Sequence, residues 1–318
     1  MNAPSRRRAL GALGALAALG AAAAPSRAAD LTKVRAAALP IVDTSPFFAA
    51  LKQGYFSAEG LDVSIAPEYT GTVGLSGAVA GSYDIVYTNV PSTLAAIEHG
   101  IKLRLVALAS PIGPPDITAL VIRKGENLRT AKAFAGKSVG INGLRNLQWM
   151  VMRAWLKAGG IDPDQVTLRD VPFPQMADAL RTKQVDGIFA IEPFLSADVH
   201  DPEMEVAAHP FDVIPRVRSA GWAVTEAYAE KNADTIKRFV AALTKGADWI
   251  NANRGKPAFV ELVASYTKMD PARVTQMGMP TAMASVDPNE IRRIAQLMRE
   301  VGLLQGDIDA SKTIFVAK

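Results

Sequence analysis

Residues 136–160, GKSVGINGLRNLQWMVMRAWLKAGG, decide how this chain folds. Ser138 to Ile141 is a short apolar run that suits a buried strand. Asn142 to Asn146 makes a tight polar turn, and from Leu147 an amphipathic helix runs to the glycine pair Gly159-Gly160. A strand that feeds a helix through a short polar turn belongs to a parallel α/β sheet. The turn also aims unpaired backbone N–H groups and the positive end of the helix dipole at one point, which suits an anionic or strongly polar small molecule. The same turn occurs in folds that bind nothing there, so its meaning depends on what the rest of the chain sets against it.

Outward from this stretch, the same grammar repeats on both sides. Toward the N-terminus, Val34 to Leu39 reads as a strand, the loop Pro40 to Pro46 leads to a helix from Phe47 to Lys52, and Asp62 to Ala66 is a second strand. A polar loop, Tyr69 to Gly74, opens another helix, Asp84 to Tyr87 is a third strand, and Leu103 to Leu108 a fourth. Every one of these strands ends in Ser, Thr, Asn or Gly. Ligands of open α/β sheets bind at the carboxyl ends of the strands, so the loops together predict one polar cleft, although such residues are also simply what loops contain. Toward the C-terminus, Thr118 to Arg123 and Gly221 to Val224 read as strands that cross between two lobes. Val166 to Val171 and Gly187 to Ala190 are strands of the second lobe. Everything after Ala227 reads as helix, packed on the first lobe.

The beginning of the chain reads as an export signal. Arg6, Arg7 and Arg8 precede an apolar run from Ala9 to Ala24 that is too short to span a bilayer and ends in Ser26-Arg27-Ala28. The arginines fit a twin-arginine signal or an ordinary Sec signal. Removing residues 1–28 takes away four arginines and no acid, so 35 basic residues fall to 31 against 31 acidic, and the formal charge of +4 vanishes. A neutral mature chain gives no reason to expect nucleic acid as a partner. With no cysteine there are no disulfides, no thiol chemistry and no site for a lipid anchor. The expectation is a free, soluble periplasmic monomer.

Six short segments, in this order, carry a resemblance. They are Gly54-Tyr55-Phe56 with Glu59-Gly60-Leu61-Asp62-Val63; Gly81-Ser82-Tyr83-Asp84-Ile85; Ala135 to Gly140; Ala158 to Val166; Ala179-Leu180 with Val185-Asp186-Gly187; and Glu192-Pro193-Phe194. Together they resemble the periplasmic solute-binding proteins of ABC importers of the sulfonate, nitrate and thiamine-precursor type, the NMT1/THI5-like (SsuA-like) family. The resemblance implies a type II two-lobe α/β binding protein that closes on a small solute and presents it to an inner-membrane ABC permease. Lobe one would comprise residues 29–117 and 225–318, and lobe two residues 118–224. Carried over by position, the ligand loops fall at Thr44 and Ser45; Thr70, Gly71 and Thr72; Thr88 and Asn89; Asn142 through Asn146; Glu192; and Trp222. Where sulfonate- and nitrate-binding members place small hydroxylated residues in the second-lobe turn, this chain has Asn142-Gly143-Leu144-Arg145-Asn146. The ligand is therefore left open among sulfonate, carboxylate, nitrate-like anion and pyrimidine.

Within that set Arg145 is the sharpest candidate, because a guanidinium pairs bidentately with a carboxylate or sulfonate; otherwise it points to solvent. Glu192 either orients a ligand amine or amide or caps a backbone N–H. Trp222 either stacks on a planar ligand or packs at the hinge, and Trp149 and Trp155 are core residues. His99, His200 and His209 lack the neighbours that a zinc site or a nucleophilic triad needs, and no glycine-rich phosphate loop is present. No cofactor is expected. Two alternatives stay open: an enzyme on the same scaffold, such as a lyase using Glu192 or Asp84 as acid or base, and a ligand-sensing subunit of a membrane signalling protein. The branch of this fold that makes a thiamine pyrimidine uses a cysteine-rich motif, which this chain lacks.

Overall fold

The structure, a computed structural model, describes residues 31–68, 70–111, 117–214 and 216–316. The export-signal reading of residues 1–28 lies outside them. The chain begins with β1 (Thr32–Ala38), whose Val34, Ala36, Ala37 and Ala38 are all buried, as the centre of a parallel sheet requires. After α1 (Ser45–Lys52) and α2 (Tyr55–Ala58), β2 (Leu61–Pro67) pairs in parallel along one side of β1. After α3 (Gly71–Val79), β3 (Ile85–Asn89) pairs along the other. Then α4 (Val90–Glu98) and β4 (Leu103–Leu108) follow, and the chain passes to a second sheet.

The second sheet is built the same way. Its elements are β5 (Thr118–Arg123), β6 (Ser138–Ile141), α5 (Leu147–Ala158), β7 (Thr167–Asp170), α6 (Phe173–Arg181), β8 (Gly187–Ile191), α7 (Phe194–Val199) and β9 (Met204–Ala208). The chain returns as β10 (Ala220–Thr225), which lies antiparallel between β3 and β4. The strand orders are β2-β1-β3-β10-β4 and β7-β6-β8-β5-β9. Each sheet thus has four strands running one way and one antiparallel strand, inserted by a chain crossing beside the edge strand.

An aspartate sets the register in both sheets. Asp84 Oδ2 accepts the backbone N–H of Arg35 at 2.8 Å while its carboxylate pairs with the Arg35 guanidinium. Asp186 Oδ2 likewise accepts the Ser138 N–H at 2.8 Å and the Ser138 hydroxyl at 3.0 Å. Each carboxylate, just before an inner strand, ties that strand to its parallel neighbour. Asp84, weighed above as an enzymatic acid or base, is occupied in this way.

The decisive stretch folds as its pattern predicts, with Asn146 Oδ1 accepting the Trp149 N–H at 3.1 Å to cap α5. Its closing glycines do different jobs. Gly160 has φ +77°, whereas at Gly159 an added Cβ would stand 2.2 Å from the Ala131 Cβ, so close packing excludes a side chain. Trp149 and Trp155 are half-buried against the core around α5.

Beyond β10 come α8 (Glu226–Lys231), α9 (Ala233–Asn253), α10 (Pro257–Thr267), α11 (Pro271–Val274), α12 (Pro288–Glu300) and α13 (Ala310–Thr313). The long α9 lies on α1: Phe47 packs its ring against Phe56 at 5.3 Å, Trp222 at 4.9 Å and Phe239 at 6.2 Å. Each fully buried ring contributes about 2–3 kcal/mol. Reading everything after Ala227 as helix needs one correction. Ser285 and Ile314 bridge to Leu108 and Leu105 and extend the edge of the first sheet, because β4 would otherwise leave that edge unpaired.

Candidate functional site

Strands of both sheets end at one cavity of about 60 Å³, open to solvent at its mouth. Its enclosed part admits only a compact solute. Most of the wall is apolar: Leu39 and Ile41 after β1, Ile191 ending β8, Leu147 and Phe173 opening α5 and α6, and Phe211. The polar groups are few, chiefly Asp43, Tyr87, Thr88, Asn89, Asn142 and Gln148.

Asp43 is the only one of these that carries a charge, and it is buried. The Tyr87 hydroxyl donates a short hydrogen bond to its Oδ2, and Oδ1 has no hydrogen-bond partner. Burial pushes the carboxyl up to about 6, against the pull of the Tyr87 hydrogen bond and of the nearby polar groups of Ser110. Burial and the neighbouring Asp43 push the Tyr87 hydroxyl well above its ordinary range. Thr88 Oγ1 is also buried without a partner. Gly71 lies against it: an added Cβ would stand 3.0 Å from Thr88 Oγ1 and 3.1 Å from its Cα, so α3 starts this close to β3 only with glycine there.

Gln148 locks the turn of the second sheet. Its Oε1 accepts the Asn142 N–H at 2.8 Å and its Nε2 donates to the Phe189 carbonyl at 2.6 Å. Asn146 Nδ2 donates to the Asn142 carbonyl and to its Oδ1 at 3.2 and 3.1 Å. Both side-chain amides are thereby committed, and Asn142 is presented to the cavity by a rigid frame.

Of the residues expected at the ligand, Gly71, Thr88, Asn89 and Asn142 line this cavity. The others are placed elsewhere. Thr44 donates to the carbonyls of Leu39 and Ile41, and Ser45 donates to the Val42 carbonyl and shares a hydrogen bond with the Tyr266 hydroxyl. Thr70 caps α3 by accepting the Val73 N–H, and Thr72 is exposed. Asn146 caps α5. Glu192 accepts both the N–H and the hydroxyl of Ser196 at the start of α7, and burial raises its carboxyl. Trp222 is buried in the aromatic core with Phe47, Tyr87 and Phe239.

Arg145 differs most from expectation. It takes the left-handed conformation that the turn demands (φ 56°), it is exposed, and its guanidinium lies 5.9 Å from the centre of the Trp149 ring. It does not line the cavity. Asp43, Tyr87 and Gln148 are the residues that the sequence reading passed over. Asp43 lies in the loop after β1 beside the two hydroxyl residues chosen there. Tyr87 is hidden in an apolar strand, and Gln148 in the first turn of a helix.

The first residues of α3 and α5 reach the cavity wall, and each helix dipole favours an anion there by about 0.3–1 kcal/mol. An anion about 4 Å from ionised Asp43 would meet a repulsion of about 4 kcal/mol at an effective dielectric near 20. Among the described residues no lysine or arginine lines the cavity to offset it. Proton uptake by Asp43, whose carboxyl sits at about 6, caps that cost at about 1.4 kcal/mol at pH 7, so charge weighs only modestly against an anion. Among the described residues no group of three metal-ligating side chains occurs. The ring nitrogens Nδ1 of His200 and His209 each lie within hydrogen-bond distance of a backbone carbonyl.

The fold has counterparts. The chain is 26% identical over 213 residues to the riboflavin-binding protein RibY of Chloroflexus aurantiacus, covering 65% of this chain and 59% of that one. It is 24% identical over 245 residues to the nitrate/nitrite binding protein NrtA of a Nostoc species, covering 71% and 56%. It therefore spans less than two thirds of the length of these curated relatives. In three dimensions it superposes on the alkanesulfonate-binding protein SsuA of Xanthomonas axonopodis pv. citri, bound to MOPS, with a TM-score of 0.79 at 16% identity, covering 90% of this chain and 99% of that one. At that identity the likeness speaks for the α/β periplasmic-binding-protein fold alone. The family model described as NMT1/THI5 like matches residues 42–255, two thirds of the chain, and the chain belongs to that family.

Proposed function

We propose that this chain is the solute-binding component of an ABC importer. It captures one small organic solute in the cavity where both sheets end and delivers it to a permease of the inner membrane. The observation that carries this reading is the cavity itself, with an apolar wall, a few fixed polar groups, and contributions from strands on both sides of the two chain crossings. Residues 29–117 with 225–318, and residues 118–224, would then move as two lobes about those crossings. Export by a twin-arginine or Sec signal in residues 1–28 would place the mature monomer in the periplasm. Relatives named for riboflavin and for nitrate and nitrite, together with a structural counterpart named for alkanesulfonates, support a binding role rather than catalysis. Sulfonate remains one class of solute to be tested.

The test is reconstitution. With the permease and its ATPase in proteoliposomes, the mature chain and a solute found by thermal-shift screening should stimulate ATP hydrolysis and solute uptake together. Conversion of that solute into a product by the purified chain would replace this reading with an enzymatic one.

A further inference from the structure

Asp43 and Thr88 leave hydrogen-bonding capacity unused at the same cavity. Oδ1 of Asp43 and Oγ1 of Thr88 are both buried and both without partners. Unpartnered buried oxygens are costly, and such a cost persists where a ligand completes the bonds. Two of the donors that an anion could use are spent. The Tyr87 hydroxyl is given to Asp43, and the Gln148 amide is held by Asn142 and Phe189.

We propose that Asp43, oriented by Tyr87, accepts a hydrogen bond from an N–H of the solute, and that the solute is a compact, largely apolar, neutral or cationic molecule bearing an amine, amidine or ring N–H. Thr88 serves the same edge of the solute, and Phe173 and Phe211 lie against its apolar body. The proposal rests on the solute-binding reading above. Binding is also linked to pH. The groups that bear on Asp43 are Tyr87 on β3, Tyr266 on α10 and Ser110 after β4, and the tyrosines stay neutral, their hydroxyls raised by burial. Asp43 is thus the group that titrates, near pH 6 in the empty cavity, so affinity for an N–H donor rises as pH goes from 5 to 7.5.

The experiment is isothermal titration of the mature chain with cytosine, 4-aminopyrimidine and benzamidine against ethanesulfonate, benzoate and nitrate, at pH 5 and 7.5. Native mass spectrometry after exposure to a metabolite extract runs in parallel. We expect a donor probe to bind, more tightly at pH 7.5, and no anion to bind. Asp43→Asn should weaken that probe about 30-fold with its fold retained by circular dichroism. Tyr87→Phe, which removes a hydrogen bond to the ionised carboxylate, should move the pH midpoint of binding upward. An anion that binds in place of the donors, or Asp43→Asn leaving donor binding within twofold, overturns the solute class and leaves the importer reading standing. If no probe binds and the extract yields a one-to-one adduct of a solute without an N–H donor, the donor class again fails alone; an adduct bearing one supports it. No adduct of any kind removes both.

Discussion

Replacing Asp43 by asparagine should make the empty protein more stable at neutral and alkaline pH, even as it damages the site. In the fold the carboxyl sits at about 6, against an ordinary value of 3.8. Because the folded value is raised, the group favours the folded state fully below pH 3.8, and that benefit is lost as pH rises through 6. The difference of about two pKa units corresponds to about 3 kcal/mol. Asparagine does not titrate. The unfolding free energy of the wild type relative to Asp43→Asn should therefore fall by about 2.5 kcal/mol between pH 4 and pH 8, whatever constant offset the amide itself introduces. Urea denaturation across that range reads this directly, and Trp222, 5.5 Å from the Tyr87 ring, supplies a fluorescence signal at the site. A difference that stays constant within about 0.5 kcal/mol across the range would show that Asp43 is not held as an isolated buried carboxyl, and would refute the electrostatics of the cavity.

Other expectations follow from the same geometry. Asp198, buried on α7, is pushed up to about 7 by burial and by the charge of Glu192. By the same sign, Asp198→Asn should gain about 2–4 kcal/mol over the wild type at pH 8 and little at pH 4, measured by urea denaturation. At Gly246 an added Cβ would stand 2.0 Å from the Pro46 carbonyl oxygen, so Gly246→Ala should push α9 off α1 and cost about 2–3 kcal/mol in denaturant unfolding. Arg145→Ala should leave solute affinity within about twofold, since the residue stands over Trp149 outside the cavity; a tenfold loss in titration calorimetry would return Arg145 to the ligand.

Much of the architecture was legible because its signals are local. The alternation of short apolar runs with helical periodicity, punctuated by Gly54, Asp84, Gly160 and Asp186, carries the strands of both lobes and the two crossings. The bridges at Ser285 and Ile314 were less visible, since pairing at a sheet edge depends on a distant partner rather than on the segment's own pattern. The site was legible as a set of loops but not as a set of side chains. Hydroxyl and amide residues in those loops were expected at the ligand, yet Thr44, Ser45, Thr70, Asn146 and Glu192 spend their polar atoms on nearby backbone or side-chain groups, as short polar side chains beside helix starts often do. Asp43 escaped notice for the converse reason. Its importance lies in one oxygen, Oδ1, buried without a partner, which only three dimensions reveal.

The central claim, that one small solute occupies the cavity where both sheets end, is tested most directly by native mass spectrometry of the mature chain after exposure to a metabolite extract. The account predicts a single adduct of small mass at one-to-one stoichiometry, accompanied by a rise in melting temperature and lost when the protein is unfolded. A chain that emerges without adduct at every extract concentration, with its melting temperature unchanged, would contradict it.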